Sequence, residues 1–411
     1  MSGSERPNAP ATSAVAGAGD LLAEHVEAVF LEFLGREASE QDVAVWMGVG
    51  SLRALIDGVL ASEEYTSRVA KRAVAAGAEG LFVNCWTPEL DRFNRPLGTI
   101  SADGVAVVGR DGHLFLYGGS NDNLAMYRGE IAMAPDWLEQ WSVLVAERVE
   151  HARETGRSIC CLVVPDKLAV YGDLFPQPLD TGGPRPVVRL LEEARLPLRY
   201  PSELLHGARK QADTYMLTDS HLTGLGNRLL AETTIEGLDA SPSLLRGVVR
   251  GGEEQLSSGD LGRHYAPPIV EVGERPAAPS AASIVFDNWP QVAAAGGHIG
   301  TLRIFRREDA PDPRTVVVFG DSYGFGDEAY RGLSWYLAQA FREVHFVWVP
   351  FGWDPAYLDR VGAELAVCQT AERFIARLPR RSVDVRALVE ESAGKGGALG
   401  LEKVFGDVSA A

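Results

Sequence analysis

The segment Thr315–Tyr323, reading TVVVFGDSY, constrains the fold more than any other part of the 411-residue chain. Three valines and a phenylalanine follow one another without a polar interruption, between Pro311-Asp312-Pro313 and Gly320. A run with no wet face belongs inside an α/β sheet that is covered on both sides. In such sheets the ligand crevice lies beyond the carboxyl ends of the strands. Gly320 permits a tight turn off the strand, which places Ser322 at the crevice with a helix following. The hydroxyl reads in two ways: as a small turn residue, or as a nucleophile if a base and an orienting acid stand nearby.

Other segments supply companions for this strand. VAVVG and HLFLYG are joined across RDG as a hairpin, and SICCLVVP, TYMLT, SIVFDN, LRIFRR and HFVWVP read as further strands. Helices are expected over residues 135–155, in VVRLLEEAR, and in TGLGNRLLAETTIEGL with Thr223 as its N-cap. The helix after Ser322 carries Leu333, Leu337, Ala340 and Phe341. Alternating strands and helices predict an α/β domain of three layers around a mostly parallel sheet. The polar, Gly- and Pro-rich stretch over residues 241–282 reads as a connection. Upstream, Val26, Val29, Phe30, Phe33 and Leu34 recur at helical spacing, and Gly35 marks a stop. Ser39 with Asp42 makes a capping-box start, and Ser51 and Ser62 are placed to cap two more helices. The resulting organisation is a disordered arm over 1–19, a small all-α helical bundle over 20–80, a large domain over 95–390 and a flexible tail over 391–411.

A net charge of −17 and a pI near 5.0 disfavour nucleic acid and anionic membrane as partners. No apolar run is long enough to span a bilayer. The first twenty residues lack a basic leader and an apolar segment, so the expectation is a cytoplasmic protein without a secretory signal. Cys85, Cys160, Cys161 and Cys368 form neither a CxxC pair nor a Cys/His metal pattern. No Walker loop or dinucleotide fingerprint is present, and neither a metal nor a nucleotide cofactor is expected.

The partners sought for Ser322 occur in TDSHLTGLG, Thr218–Gly226. Asp219 and His221 lie two apart at the end of the TYMLT strand, and residues i and i+2 of an extended segment point the same way. The carboxylate can then accept from one imidazole nitrogen while the other faces a nucleophile. The same pair also reads as a turn aspartate and a surface histidine. Asn121 and Asn123 in GGSNDN are candidate oxyanion donors or plain turn residues. Tyr323 is a candidate for the acceptor cleft or a packed aromatic. Lys167, in VVPDK, is a charge at a strand end that faces the crevice or the solvent. Glu372 and Arg373 are expected to form a structural ion pair, and Asp321 to serve the turn. His25, His113, His151, His206, His264, His298 and His345 show no comparable context.

Taken in order, VVGRDGHLFLYGG, VVPDKLAVYGD, YMLTDSHLTGLG, VVVFGDSYGF and QTAERFI resemble the SGNH-hydrolase-like proteins of bacterial alginate O-acetylation, the AlgX and AlgJ type. The resemblance spans roughly residues 104–377. In that family the Asp-x-His pair precedes the Gly-Asp-Ser motif, the reverse of the usual SGNH order, and this chain has the same reversed order. The resemblance implies an SGNH-hydrolase-like domain with Ser322, His221 and Asp219 as its triad. It implies an O-acetyltransferase that moves an acetyl group onto a sugar hydroxyl of a polysaccharide through an acyl-serine; of the oxyanion donors, the Ser322 amide is the first choice ahead of Asn121 and Asn123. Two positions depart from the family pattern: Leu222 stands where Trp follows the histidine, and Gly112-His113 where Gly-Trp is usual. Family members of the alginate type enter the periplasm. Near the N-terminus, LGRE and SEEY resemble a small helical domain of unknown function often fused to enzymes and surface proteins connected with glycans. The bundle reads as a helical adaptor with no chemistry of its own, a place through which a protein partner could be recruited. Two further functions suit the same residues: a carbohydrate acetyl-esterase, in which water replaces the sugar, and a non-catalytic glycan-binding or assembly protein. No pattern identifies the acetyl donor.

Overall fold

The computed structural model describes residues 23–65, 96–119, 122–179, 183–248, 252–266, 268–276, 280–326 and 332–392. The N-terminal arm, the NCWTPEL junction with Cys85, Asn121 and the tail from 393 onward lie outside the described residues. Residues 391 and 392, expected in the tail, instead end the helix Val385–Ser392.

The strands are β1 (Ala106–Val108), β2 (Leu114–Leu116), β3 (Ser158–Val164), β4 (Leu198–Arg199), β5 (Gly252–Ser257), β6 (Glu271–Pro276), β7 (Ser283–Asp287), β8 (Leu302–Arg306), β9 (Asp312–Gly320), β10 (Phe341–Trp348) and β11 (Leu365–Ala371). Seven of them form one sheet in the order β4-β3-β11-β9-β10-β8-β7. From β4 to β10 every pairing is parallel, while β8 and β7 add antiparallel to one edge. The apolar run sits in β9, between β10 and β11. Val316 and Val318 face a core that holds the helix Leu333–Ala340, and Val317 and Phe319 face one that holds Trp141 and Trp353. Burial on both faces explains the absence of alternation, and each of these side chains contributes ~1.5–3 kcal/mol on leaving water. The expected α/β layering and mostly parallel sheet are thus present.

Several local expectations are corrected. Phe341 does not end the helix after Ser322 but opens β10. No helix follows Ser322 directly; a turn does, and the helix begins at Leu333. TYMLT is not a strand, since Tyr215 makes only a single bridge to Leu222. The backbone groups of this segment are taken instead by the side chains of Lys167 and Glu271. The connection over 241–282 contains the β5–β6 antiparallel pair and the short helix Gly259–Gly262.

In the N-terminal unit, helices Ala23–Val29, Glu40–Trp46 and Leu52–Leu60 surround a π-helical turn, Phe30–Leu34. Gly35 stops this turn in the left-handed conformation, Ser39 and Asp42 form the capping box, and Ser51 caps the third helix. The LGRE and SEEY signatures meet in space: Arg36 binds both Asp42 and Glu64, and Phe33 packs edge-on to Tyr65. The unit is not an isolated bundle. Its Val26, Phe30, Leu55 and Val59 share one core with Ala106, Val108 and Leu114 of the hairpin and with Leu261, Tyr265 and Ile269.

Candidate active site

Ser322 stands just beyond the end of β9. The strand can pass close to its neighbour here because residue 320 is glycine. A Cβ on Gly320 would lie 2.4 Å from Gln369 Oε1. The glycine therefore serves close approach rather than the tight turn expected of it. The Gln369 amide secures the strand end, accepting from the Asp321 amide (2.9 Å) and donating to Asp321 Oδ1 (2.8 Å). Asp321 also accepts from the amides of Tyr323 and Ala371, so it clamps the turn to β11. The amides of Asp321, Tyr323 and Gly324 are spent in this way. Among the described residues the Ser322 amide takes no protein acceptor.

His221 Nε2 lies 2.8 Å from Ser322 Oγ, and His221 Nδ1 lies 2.7 Å from Asp219 Oδ1. The two residues are brought together by a turn, not by an extended segment: Asp219 Oδ1 also accepts the His221 backbone N–H (2.8 Å). With Nδ1–H donating to the carboxylate, Nε2 is left to accept from the serine hydroxyl. Burial opposes charge on the imidazole. Asp219, with Asp260 behind it, outweighs that effect and holds the His221 pKa above its ordinary value. Burial likewise opposes the Asp219 carboxylate, and His221 outweighs it, drawing its pKa below the usual range.

The loop that carries this pair is gripped by three side chains. Lys167 is buried, and its Nζ donates to the carbonyls of Met216 (2.6 Å), Leu217 (2.7 Å) and Asp219 (3.2 Å). Burial draws its pKa down from 10.5 to about 8. Glu271 accepts the amides of Leu217 (2.8 Å) and Thr218 (2.7 Å), and burial raises its pKa. Asp260 accepts from the Ser220 amide (2.6 Å) and hydroxyl, its own amide donates to Asp219 Oδ2 (2.8 Å), and its Oδ2 lies 3.5 Å from His221 Nδ1. The approach requires glycine at 259, where φ is +56° and a Cβ would meet the Thr218 carbonyl oxygen at 2.4 Å.

The remaining candidates fall as follows. Tyr323 does not line a cleft. It is fully buried, its hydroxyl donates to the Ser220 carbonyl (2.7 Å), and its ring lies 4.9 Å from that of His221. Lys167 faces neither crevice nor solvent. Glu372 and Arg373 do not pair with each other: Glu372 binds Arg185 (2.7 Å), while Arg373 binds Asp166 (2.8 Å) and donates to the Tyr323 hydroxyl (3.2 Å). Asn123 is buried, its Oδ1 without a partner among the described residues, at the start of the helix Asn123–Tyr127. Asn121 lies outside the described residues. His345, passed over in the sequence, is bound on both sides, to Tyr357 (2.7 Å) and Glu343 (2.8 Å). Asp219, His221 and Asp260 offer ligand atoms within 4.8 Å of one another. Those atoms are already hydrogen-bonded among themselves and to Ser220, and a serine stands at the outward imidazole nitrogen.

Sequence reasoning missed Asp260, Glu271 and Gln369. The signal for Gln369 was a polar residue inside the apolar strand LAVCQTA, where a buried amide must find partners. Asp260 and Glu271 lie in the stretch taken for a connection, with no comparable mark.

No family model and no curated protein matches the sequence. Among solved structures the chain resembles the O-acetyltransferase domain of Pseudomonas putida AlgJ at 14% identity, covering 71% of this chain and 99% of that one, with a TM-score of 0.40. It also resembles Bacillus cereus PatB1 with a sulfonyl adduct (11%, 69% and 98%, TM-score 0.39). A third is Pseudomonas aeruginosa AlgX (13%, 70% and 66%, TM-score 0.40). AlgJ and AlgX are periplasmic, and the cytoplasmic location expected from the sequence is withdrawn. No helix among the described residues is long and apolar enough to cross a membrane.

Proposed function

We propose that the protein is a serine-dependent O-acetyltransferase that moves an acetyl group from a donor ester onto a sugar hydroxyl. The observation that carries this reading is the unbroken hydrogen-bond chain from Ser322 Oγ through His221 to Asp219 at the carboxyl end of the sheet. His221 Nε2 takes the serine proton as Oγ attacks the acetyl carbonyl. The tetrahedral oxyanion is received by the Ser322 amide, which has no acceptor among the described residues. As the intermediate collapses, His221 returns the proton to the departing alcohol and leaves an acetyl-serine. A sugar hydroxyl, deprotonated by the same nitrogen, attacks this ester. Collapse of the second intermediate releases the acetylated sugar and restores Ser322 with its proton. Asp219 holds the Nδ1–H tautomer and stabilises the imidazolium in both halves.

The test uses purified protein, p-nitrophenyl acetate as donor and neutral oligosaccharides as acceptors. Ser322→Ala is expected to lose turnover by ~10⁴-fold or more, with no acetylated enzyme in the mass spectrum. Undiminished turnover in that variant would refute the assignment. Free acetate with no acetylated sugar would identify a carbohydrate esterase using the same triad.

A further inference from the structure

The end of the sheet that presents Ser322 also gathers aromatic rings from four separate strand ends. Trp289 follows β7, whose last residue is Asp287. Trp348 ends β10, in register with Gly320 of β9. His298 precedes β8, and Phe325 lies three residues beyond Ser322. Because β7 ends and β8 begins at the edge where β9 and β10 end, all four rings come to the end of the sheet that carries Ser322.

Three of these rings are nearly parallel. Trp289 and Trp348 are 5.7 Å apart at 8°, Trp289 and His298 5.7 Å at 16°, and His298 and Trp348 4.9 Å at 17°. Phe325 is buried beneath them, 5.2 Å from Trp289 and 5.4 Å from Trp348, with the Arg303 guanidinium 4.2 Å from its ring centroid. The trio is fixed through its backbone: the Trp289 amide donates to Asp287 Oδ1 (2.9 Å), and the Trp348 amide to the Thr301 carbonyl (2.8 Å). His298 is exposed and both tryptophans are half-buried.

We propose that this stack seats a neutral sugar ring of the acceptor, its C–H face laid on the exposed His298 ring and on the part of the Trp289 and Trp348 rings left open to solvent. The inference rests on the transferase reading and specifies its acceptor. Parallel rings with centroids 4.9–5.7 Å apart overlie one another rather than lying side by side, so the cluster presents the exposed His298 ring backed by the tryptophans, a polarisable surface that suits the axial C–H face of a pyranose. The charged pair at its edge, Asp287 and Arg303, is closed on itself at 2.8 Å and offers a sugar carboxylate no net charge. The chain's −17 charge repels a polyanion at longer range. The acceptor is therefore a chain of uncharged hexose or N-acetylhexosamine units rather than of uronates.

Ser322→Ala protein, in which turnover is expected to be lost, would be titrated calorimetrically with cellopentaose, maltopentaose, chitopentaose and penta-mannuronate. At least one neutral oligomer is expected to bind and penta-mannuronate not to. In the same background Trp289→Ala and His298→Ala should each weaken binding about tenfold or more, as loss of an aromatic anchor does. Trp289→Phe should retain most of it. His298 is exposed, so its variant tests the stack even if Trp289→Ala fails to fold. Binding that survives both alanine variants, no binding of any neutral oligomer, or tighter binding of penta-mannuronate would overturn the proposal. If Ser322 proves to form no acetyl-enzyme while the variants still lose the oligomer, the transferase reading fails and the stack stands as a sugar site.

Discussion

Replacing Lys167 by methionine should damage catalysis far more than stability. Lys167 Nζ serves the carbonyls of Met216, Leu217 and Asp219. The Leu217 carbonyl also accepts from the Leu114 amide (2.8 Å), so the variant leaves it partnered. The Met216 and Asp219 carbonyls lose the ammonium, at a cost of about 1–3 kcal/mol each and ~2–6 kcal/mol together. Against this stands the burial of the ammonium itself. A pKa drawn from 10.5 to about 8 corresponds to ~3 kcal/mol that a neutral side chain recovers. The two nearly cancel, and the net loss of stability should not exceed ~3 kcal/mol. Nothing compensates the geometry. The Asp219 carbonyl is one residue's backbone away from the carboxylate that orients His221, and a displacement of about 1 Å at a reacting group costs ~10²-fold. Urea unfolding would give the first quantity, and the rate of acetyl-enzyme formation from p-nitrophenyl acetate the second. Full activity in Lys167→Met would refute the clamp. So would a loss no larger than the unfolded fraction accounts for.

Asp260→Asn should move the acid limb of the pH profile for kcat/KM downward, because Asp260 helps hold the His221 pKa above its ordinary value; an unchanged or raised midpoint would show that it has no such influence. The sign for stability is opposite to that for activity. A histidine whose pKa is raised by folding stabilises fully below its unfolded value of ~6.5 and loses that contribution as the pH rises through the folded value. Over that interval the neutral base and the rate grow while urea resistance falls, and a parallel rise of both would contradict the assignment. Gly320→Ala should destabilise by ~1–3 kcal/mol, since its Cβ would stand 2.4 Å from Gln369 Oε1; an unchanged melting temperature would refute this. Tyr323→Phe removes the hydroxyl that donates to the Ser220 carbonyl and accepts from Arg373, and should cost about 1–3 kcal/mol in urea unfolding. No measurable change would show that Arg373 and Ser220 find other partners.

What the sequence made legible is what local chemistry dictates. Val316–Phe319 had to be a doubly covered strand because no residue in it tolerates water. Thr223, Ser39 and Ser51 cap helices because a short side-chain oxygen meets the third amide onward, a relation confined to a few residues. The Asp219–His221 pair was found for a partly mistaken reason: their spacing suits an extended strand, but a hydrogen-bonded turn brings them together. Lys167, Glu271 and Asp260 were misjudged or missed because their bonds join residues 40 to 54 positions apart. Such bonds impose no period on the chain, and each of these residues looks, in its own neighbourhood, like an ordinary surface charge. Glu372 and Arg373 show the same limit in reverse, since adjacent opposite charges invite a pairing that the fold directs elsewhere.

The segment that holds Asp260 and Glu271 also explains why the N-terminal helices cannot be treated as an appendage. A two-stranded ribbon such as β5–β6 is marginal in water on its own. Here its connecting turn carries Leu261, Tyr265 and Ile269 into a core shared with Val26, Phe30, Leu55 and Val59. The amide of Asp260, next to Leu261, supports Asp219 Oδ2, and the Thr218 carbonyl accepts from the amides of Leu261 and Gly262. The orientation of His221 therefore depends, through three hydrogen-bonded or packed links, on a helical unit that contributes no atom to the triad. A triad on loops needs its supports fixed by something larger than the loops themselves. In this chain the helical unit supplies that mass, through the insertion that reads as featureless in the sequence.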